Sequence, residues 1–226
     1  MAYITTSDVR SITAGKLTTS DISDDDLTTI IGFATRKLNE AINQRVIEEK
    51  ITYIDKWREN DLDGSNKTFY VQACKERWYL GDYNDDGTID TNDVVVREYK
   101  SDGTYSDLTV SSIDEDDCKF VLETAPESTS ILKVSYAKAP LSENGTNAHP
   151  LIKQACAELS AALAYTGIQA VDFKRISLGR LSVMQTPKAF QIYMDRYLDT
   201  LKQIQYRGAI HRQESEEEAS MFRPIQ

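Results

Sequence analysis

The pattern of apolar and polar positions changes twice along the chain, and the two changes divide it into three. In the first stretch Leu27, Ile30, Ile31, Ala34, Leu38, Ala41, Ile42 and Val46 recur at steps of three and four. That spacing is one stripe of a helix and predicts helix from about Asp24 to Ile47. Ser23 followed by Asp26 fits a capping box, and Asp24 and Asp25 suit the positive end of the helix dipole. A shorter helix precedes it, with Ser7 as cap and Gly15 as stop.

From about Ile51 to Ala139 the apolar residues alternate or come in short β-branched runs. ITYID, KTFYV, ERWYL, DVVVREY, DLTVSSI, KFVLE and ILKVSYA predict about six or seven antiparallel strands, separated by DGS, DDG, SDG and AP turns. The helical period then returns. Pro150 suits a helix start and Gly167 its end, with Leu151, Ile152, Ala155, Cys156, Leu159, Ala162 and Leu163 on one face. Thr186 and Pro187 open a last helix faced by Phe190, Tyr193, Met194, Tyr197, Leu198, Leu201 and Ile204. The link FKRISLGRLSVMQ is basic and strand-like around Gly179. From about Gly208 the chain is polar and acidic, which predicts an extended tail that orders only against a partner; its bland alternative is a floppy end. The fold class expected is α+β: a four-helix core from residues 1–50 and 140–207, an inserted antiparallel β domain over 51–139, and an extended C-terminal arm over 208–226.

Composition narrows the function. Of 226 residues, 40% are hydrophobic, enough for a packed core. The net charge of −10 disfavours tight binding to a phosphate backbone. Cys74, Cys118 and Cys156 are odd in number and widely spaced, which argues against a disulfide framework or zinc ribbon and for a reducing compartment. Neither a signal peptide nor a membrane helix is expected. No GxSxG, P-loop, HExxH or dinucleotide fingerprint is present, so a non-enzyme is expected.

The sharpest local chemistry is Asp82-Tyr83-Asn84-Asp85-Asp86-Gly87-Thr88-Ile89-Asp90-Thr91-Asn92-Asp93. It fits the calcium loop, a hard-cation site built of oxygens, with Asp82, Asn84 and Asp86 alternating inward. Gly87 makes the turn, Thr88 offers its carbonyl, Asp90 acts through a water, and Ile89 anchors the loop. Asp93 stands where an EF-hand has a bidentate Glu, a departure that resembles dockerin loops, and the strand-like flanks argue against the two-helix EF-hand. A structural calcium ion is expected; the plainer alternative is an acidic turn without metal. The acidic turns at 61–66 and 114–117 are expected to be ordinary loops.

The order of elements resembles the head–tail connector (adaptor, head-completion) proteins of long-tailed bacterial and archaeal viruses. YITTSDVRSIT and SDDDLTTIIGFATRKLNEAIN are similar to the family's two N-terminal helices. HPLIKQACAELSAALAYTG is similar to its third helix, and FKRISLGRLSV with AFQIYMDRYLDTLKQI to its closing hairpin and helix. The resemblance implies a virion protein at the head–tail junction, made in the host cytoplasm. It implies a homo-oligomeric ring of about twelve copies below the portal protein, with the next connector or tail-completion protein beneath and DNA passing through without specific contacts. It implies that the C-terminal segment reaches the portal, here through Met221, Phe222, Arg223, Pro224 and Ile225. Two other readings remain at this point: a calcium-stabilised β-rich module that binds protein or carbohydrate, and a hydrolase with a carboxylate site.

Overall fold

The computed structural model describes residues 3–51, 60–74, 78–176 and 188–221, with side chains left undescribed at 74, 146, 167–176 and 208–221. The described residues form a mixed α+β fold with four α-helices and antiparallel sheets. Among the described residues no helix is long and apolar enough to cross a membrane.

Helix α1, Thr6–Ile12, is started by Thr5 rather than Ser7: Thr5 and Asp8 cap each other reciprocally. Ala14 and Gly15 then take positive φ and end the turn. Helix α2 spans Asp24–Ile42 with Ser23 at its N-cap. Arg10 ties the two helices together by donating to the Leu17 and Ile22 carbonyls and pairing with Asp24 at 2.6 Å.

The helix expected to reach Ile47 stops at Ile42. Asn43 is extended, and Gln44–Lys50 forms strand β1, in which Val46 pairs with Tyr136. A β-branched pair such as Val46-Ile47 satisfies either period, and the neighbouring strand decides between them.

Among the described residues seven strands follow: β2 (Thr68–Tyr70), β3 (Tyr79–Gly81), β4 (Val95–Tyr99), β5 (Tyr105–Leu108), β6 (Val110–Asp114), β7 (Lys119–Leu122) and β8 (Ile131–Ala139). Strand β8 is the spine. One sheet runs β1-β8-β4-β5, with β3 also on β8; the other runs β2-β7-β6, and every pairing is antiparallel. Alternation puts Val96, Leu132, Val134 and Tyr136 of the first sheet and Phe69, Phe120 and Leu122 of the second into one buried cluster. Beyond Ile51, the expected ITYID strand lies outside the described residues.

The second buried cluster is helical. It takes Val9 from α1, Leu27, Ile31, Ala34 and Leu38 from α2, Ile152, Ala155 and Leu159 from α3, and Tyr197 and Ile204 from α4. Helix α3 runs Pro150–Ile176, past Gly167, which was expected to end it. Helix α4 runs Lys188–Met221; the expected Thr186–Pro187 start and the residues linking α3 to α4 lie outside the described residues. The two helices are antiparallel: Tyr165 stacks on Tyr193 at 5.8 Å, Glu158 accepts from Thr200, and Arg207 reaches His149.

The tail differs from expectation. Residues 208–221 continue α4 as helix rather than forming an extended arm. Glu, Gln, Arg and Ala are good helix formers, and extending an existing helix avoids the cost of nucleation, which outweighs the roughly 1 kcal/mol penalty of Gly208. Since α4 is level with the start of α3 at Arg207, its last 14 residues carry it about 21 Å further.

Phe120 is fully buried and stacks on Phe69 at 5.8 Å. Phe120→Ala is expected to cost about 3–5 kcal/mol in chemical denaturation; a loss below about 1 kcal/mol would mean that the two sheets do not share this core.

Candidate functional site

The acidic loop lies between β3 and β4, and its side chains are turned onto its own backbone. Asp82, 1% exposed, accepts the Asp86 amide on Oδ1 (3.1 Å) and the Gly87 amide on Oδ2. These are the fifth and sixth residues of the loop, so the carboxylate closes the turn at which Asp85 and Gly87 take positive φ. Asn84 Oδ1 accepts from Asp86 N at 2.9 Å, Asp86 Oδ1 from Thr88 N at 2.8 Å, and Asp90 Oδ1 from Asn92 N at 2.7 Å. Ile89 is buried, as an anchor should be.

Asp93 is fully buried and plays a closing role. Its Oδ1 accepts the amides of Tyr83 and Asn84, and its Oδ2 that of Asp90 (2.8 Å), so it completes the capping box of the 3-10 turn Thr91–Asp93, whose N-cap is Asp90. The set Asp82, Asn84, Asp86, Thr88, Asp90 and Asp93 is thus held in one loop by a chain of short turns. Among the described residues no group of three or more His, Cys, Asp or Glu side chains is arranged to hold a metal ion.

What the sequence did not reveal is how the loop joins the rest of the molecule. Asn39 of α2 donates to Asp82 Oδ2 at 2.8 Å, and its Oδ1 accepts the Tyr3 hydroxyl at 2.7 Å. Glu143, in the β8–α3 connection, accepts the Asp82 amide at 3.0 Å and Asn43 Nδ2 at 2.9 Å. Glu115, from the β6–β7 turn, accepts the Glu143 amide. The one hint was Asn39 itself, a polar residue next to Leu38 on an otherwise apolar stripe. Glu143 sits in a polar loop and had no signal.

Burial dominates the electrostatics. It raises Asp93 to about 6, reinforced by the Asp82 charge. Asp82 is raised by burial and by Asp86 and Asp85, against the pull of its amide donors. Glu143 is pushed up to about 8, chiefly by burial and then by Asp82 and Glu115. Asp85 is raised too, mainly by burial, although Arg45 pairs with it.

Two cavities lie elsewhere. One of about 360 Å³ is lined by Ile4, Thr5, Asp8, Ile12, Lys153 and Ala157 among others, and one of about 280 Å³ by the start of β4 and by Asp107–Val110. The first includes one carboxylate, Asp8, and the second one, Asp107. Of the residues expected to meet the portal, Met221 ends α4, and Phe222, Arg223, Pro224 and Ile225 lie outside the described residues.

Comparison with protein-family models, with curated proteins and with solved structures finds no match to this chain.

The raised carboxylates fix the sign of a pH effect. A carboxyl whose pKa is higher folded than unfolded stabilises the fold when protonated, and that stability is lost as pH rises through the folded value. For Asp93 and Glu143 the window runs from about 4 to about 8; His149, lowered by burial, opposes it below pH 6.5. In chelator, the melting temperature is expected to rise as pH falls from about 8 to about 5.5. A steady fall over that range would show that these groups are not buried as described.

Proposed function

We propose that the chain is a structural, non-enzymatic virion protein: a connector that forms a ring below the portal, joins head to tail and prolongs the DNA channel. The observation that supports this most is the way the helical flanks close on each other. Helices α1 and α2 come before the sheets and α3 and α4 after them, yet all four contribute to one buried cluster, while the strands keep their own. In this reading the four helices are the connector core and residues 51–139 an insertion carried by it. A ring of about twelve copies needs two different faces per subunit. Phe33 on α2 and Ile192, Leu198 and Tyr206 on α4 are large apolar side chains left exposed, and they suit such contacts. The acidic balance lets DNA pass without adhering.

The helical end of α4 has a place in this account. It carries Met221 away from the body, and in this reading Met221, Phe222, Arg223, Pro224 and Ile225 are the portal contact. Mixing the chain with its portal protein is expected to give rings on the portal in electron micrographs, and a chain ending at Arg207 to bind at least about tenfold more weakly. Failure of the full chain to assemble on the portal under any condition would end this reading.

We also propose that Asp82, Asn84, Asp86, the Thr88 carbonyl, Asp90 and Asp93 take a calcium ion as a structural staple. Supporting this are the closure of Asp82 on the fifth and sixth amides of the loop and the positive φ of Gly87. Calcium at about 100-fold over its Kd is expected to raise the melting temperature by roughly 5–10 °C. Asp86→Ala with Asp90→Ala should at least halve that shift; an unchanged shift would retire the loop as a metal site.

One observation favours the second reading, a binding module. Tyr105, 60% exposed, lies 5.6 Å from Tyr99 on the outer face of the first sheet, with Ile131 paired to Tyr99 beside them. Silence on a glycan array would remove the carbohydrate form of it.

A further inference from the structure

Where α2, the start of the acidic loop and the β8–α3 connection meet, two buried acceptor oxygens have no partner: Glu143 Oε1 and Asn43 Oδ1. Glu143 is 0% exposed. Its Oε2 is used twice, by the Asp82 amide and by Asn43 Nδ2, while Oε1 accepts nothing. Asn43 directs its Nδ2 at Glu143 Oε2 (2.9 Å) and, at 3.5 Å, at the Asp82 carbonyl. Reversing the amide would set three acceptors against one another, so these contacts fix its orientation and leave Oδ1 on the other side. Both orphan oxygens therefore belong to the two groups joined by a single 2.9 Å bond.

The position of Asn43 is built into the fold. Gly81 lies beneath it, and a Cβ there would sit 3.2 Å from Asn43 Nδ2, 3.3 Å from its Cγ and 3.2 Å from the Ala139 Cβ. The missing side chain lets the amide lie over β3. Among the described residues no cationic side chain forms an ion pair with Glu143, and the charges that weigh on it most are the negative ones of Asp82 and Glu115. In its ionised form Glu143 would be a buried, unpaired carboxylate at a cost of several kcal/mol, which either a proton or a cation removes. A water molecule on Glu143 Oε1 would satisfy its hydrogen bonding but would leave the charge of the ionised form uncompensated.

We propose that Glu143 Oε1 and Asn43 Oδ1 bind a small hard cation of calcium's class at this junction, in a site separate from the Asp82–Asp93 loop. The donors are a carboxylate and an amide oxygen, the hard ligands such ions take, with water completing the shell. Asn43 is half-buried as a residue, while both orphan oxygens are themselves buried. The ion links the end of α2 to the β8–α3 connection, two segments otherwise joined here by one side-chain hydrogen bond. The proposal does not depend on the loop itself taking calcium.

The test is native mass spectrometry of the full chain loaded with calcium, counting ions per chain. Four forms are compared: the natural chain, Glu143→Gln, Gly81→Ala, and the loop variant Asp86→Ala with Asp90→Ala. Gln keeps an acceptor for the Asp82 and Asn43 donors and removes only the charge; Gly81→Ala shifts Asn43 and leaves Glu143 in place. Circular dichroism checks that each is folded. The expected result is one ion lost in Glu143→Gln and in Gly81→Ala, and one ion retained in the loop variant. Glu143→Gln binding as many ions as the natural chain overturns the junction site and leaves the loop standing. A loop variant binding as many as the natural chain overturns the loop and leaves the junction site standing. A natural chain that binds none overturns both, and a proton on Glu143 is then what neutralises it.

Discussion

A single buried carboxylate holds the two halves of this molecule in register. Asp82 sits at the end of β3, and every direction from it leads to a different element. Its oxygens take the amides of its own loop and the side chain of Asn39 on α2, and its amide goes to Glu143 ahead of α3. The helical and β clusters share no residue, so apolar packing within each does little to orient one against the other. Directional hydrogen bonds to charged groups do this better: each is worth roughly 1.5–3 kcal/mol, and removing one partner leaves the other buried and unsatisfied.

The same arrangement carries a cost. Three carboxylates, Asp82, Asp93 and Glu143, are essentially buried, and burial raises all three. Like charges in a shielded place call for protons or cations. If the chain works as the proposed connector, cations are the better answer, because they add bonds between segments where protons only remove repulsion. The proposed connector role and the proposed metal sites meet here: an insertion anchored through Asp82 moves with the helical core rather than swinging from it.

Much of the plan was legible in the chain. The three-part order followed from periodicity, and the strands KTFYV, DVVVREY, KFVLE and ILKVSYA fell close to β2, β4, β7 and β8 because β-branched and aromatic residues alternate there. The ends of the helices were less legible. Val46 fits a helical stripe and a strand equally well, and pairing with Tyr136 settles it. Gly167 was read as a stop, but the helix continues through it. From Gly208 the polar, acidic run suggests an extended arm ordered by a partner, yet its helix formers extend α4. In the loop, ligand-type residues were recognisable from spacing alone. Their tie to Asn39, Asn43 and Glu143 was not, since it joins residues 39, 82 and 143, which only the tertiary fold brings together.

The claim that Asp82 couples the helical core to the sheets is tested most directly by a double-mutant cycle. Chemical denaturation would compare Asn39→Ala, Asp82→Ala, the double variant and the natural chain. The account predicts an interaction energy of about 1–3 kcal/mol, with the double variant far less destabilised than the sum of the singles. Effects that add to within about 0.5 kcal/mol would show that the two residues act independently, and that the junction is held by something other than Asp82.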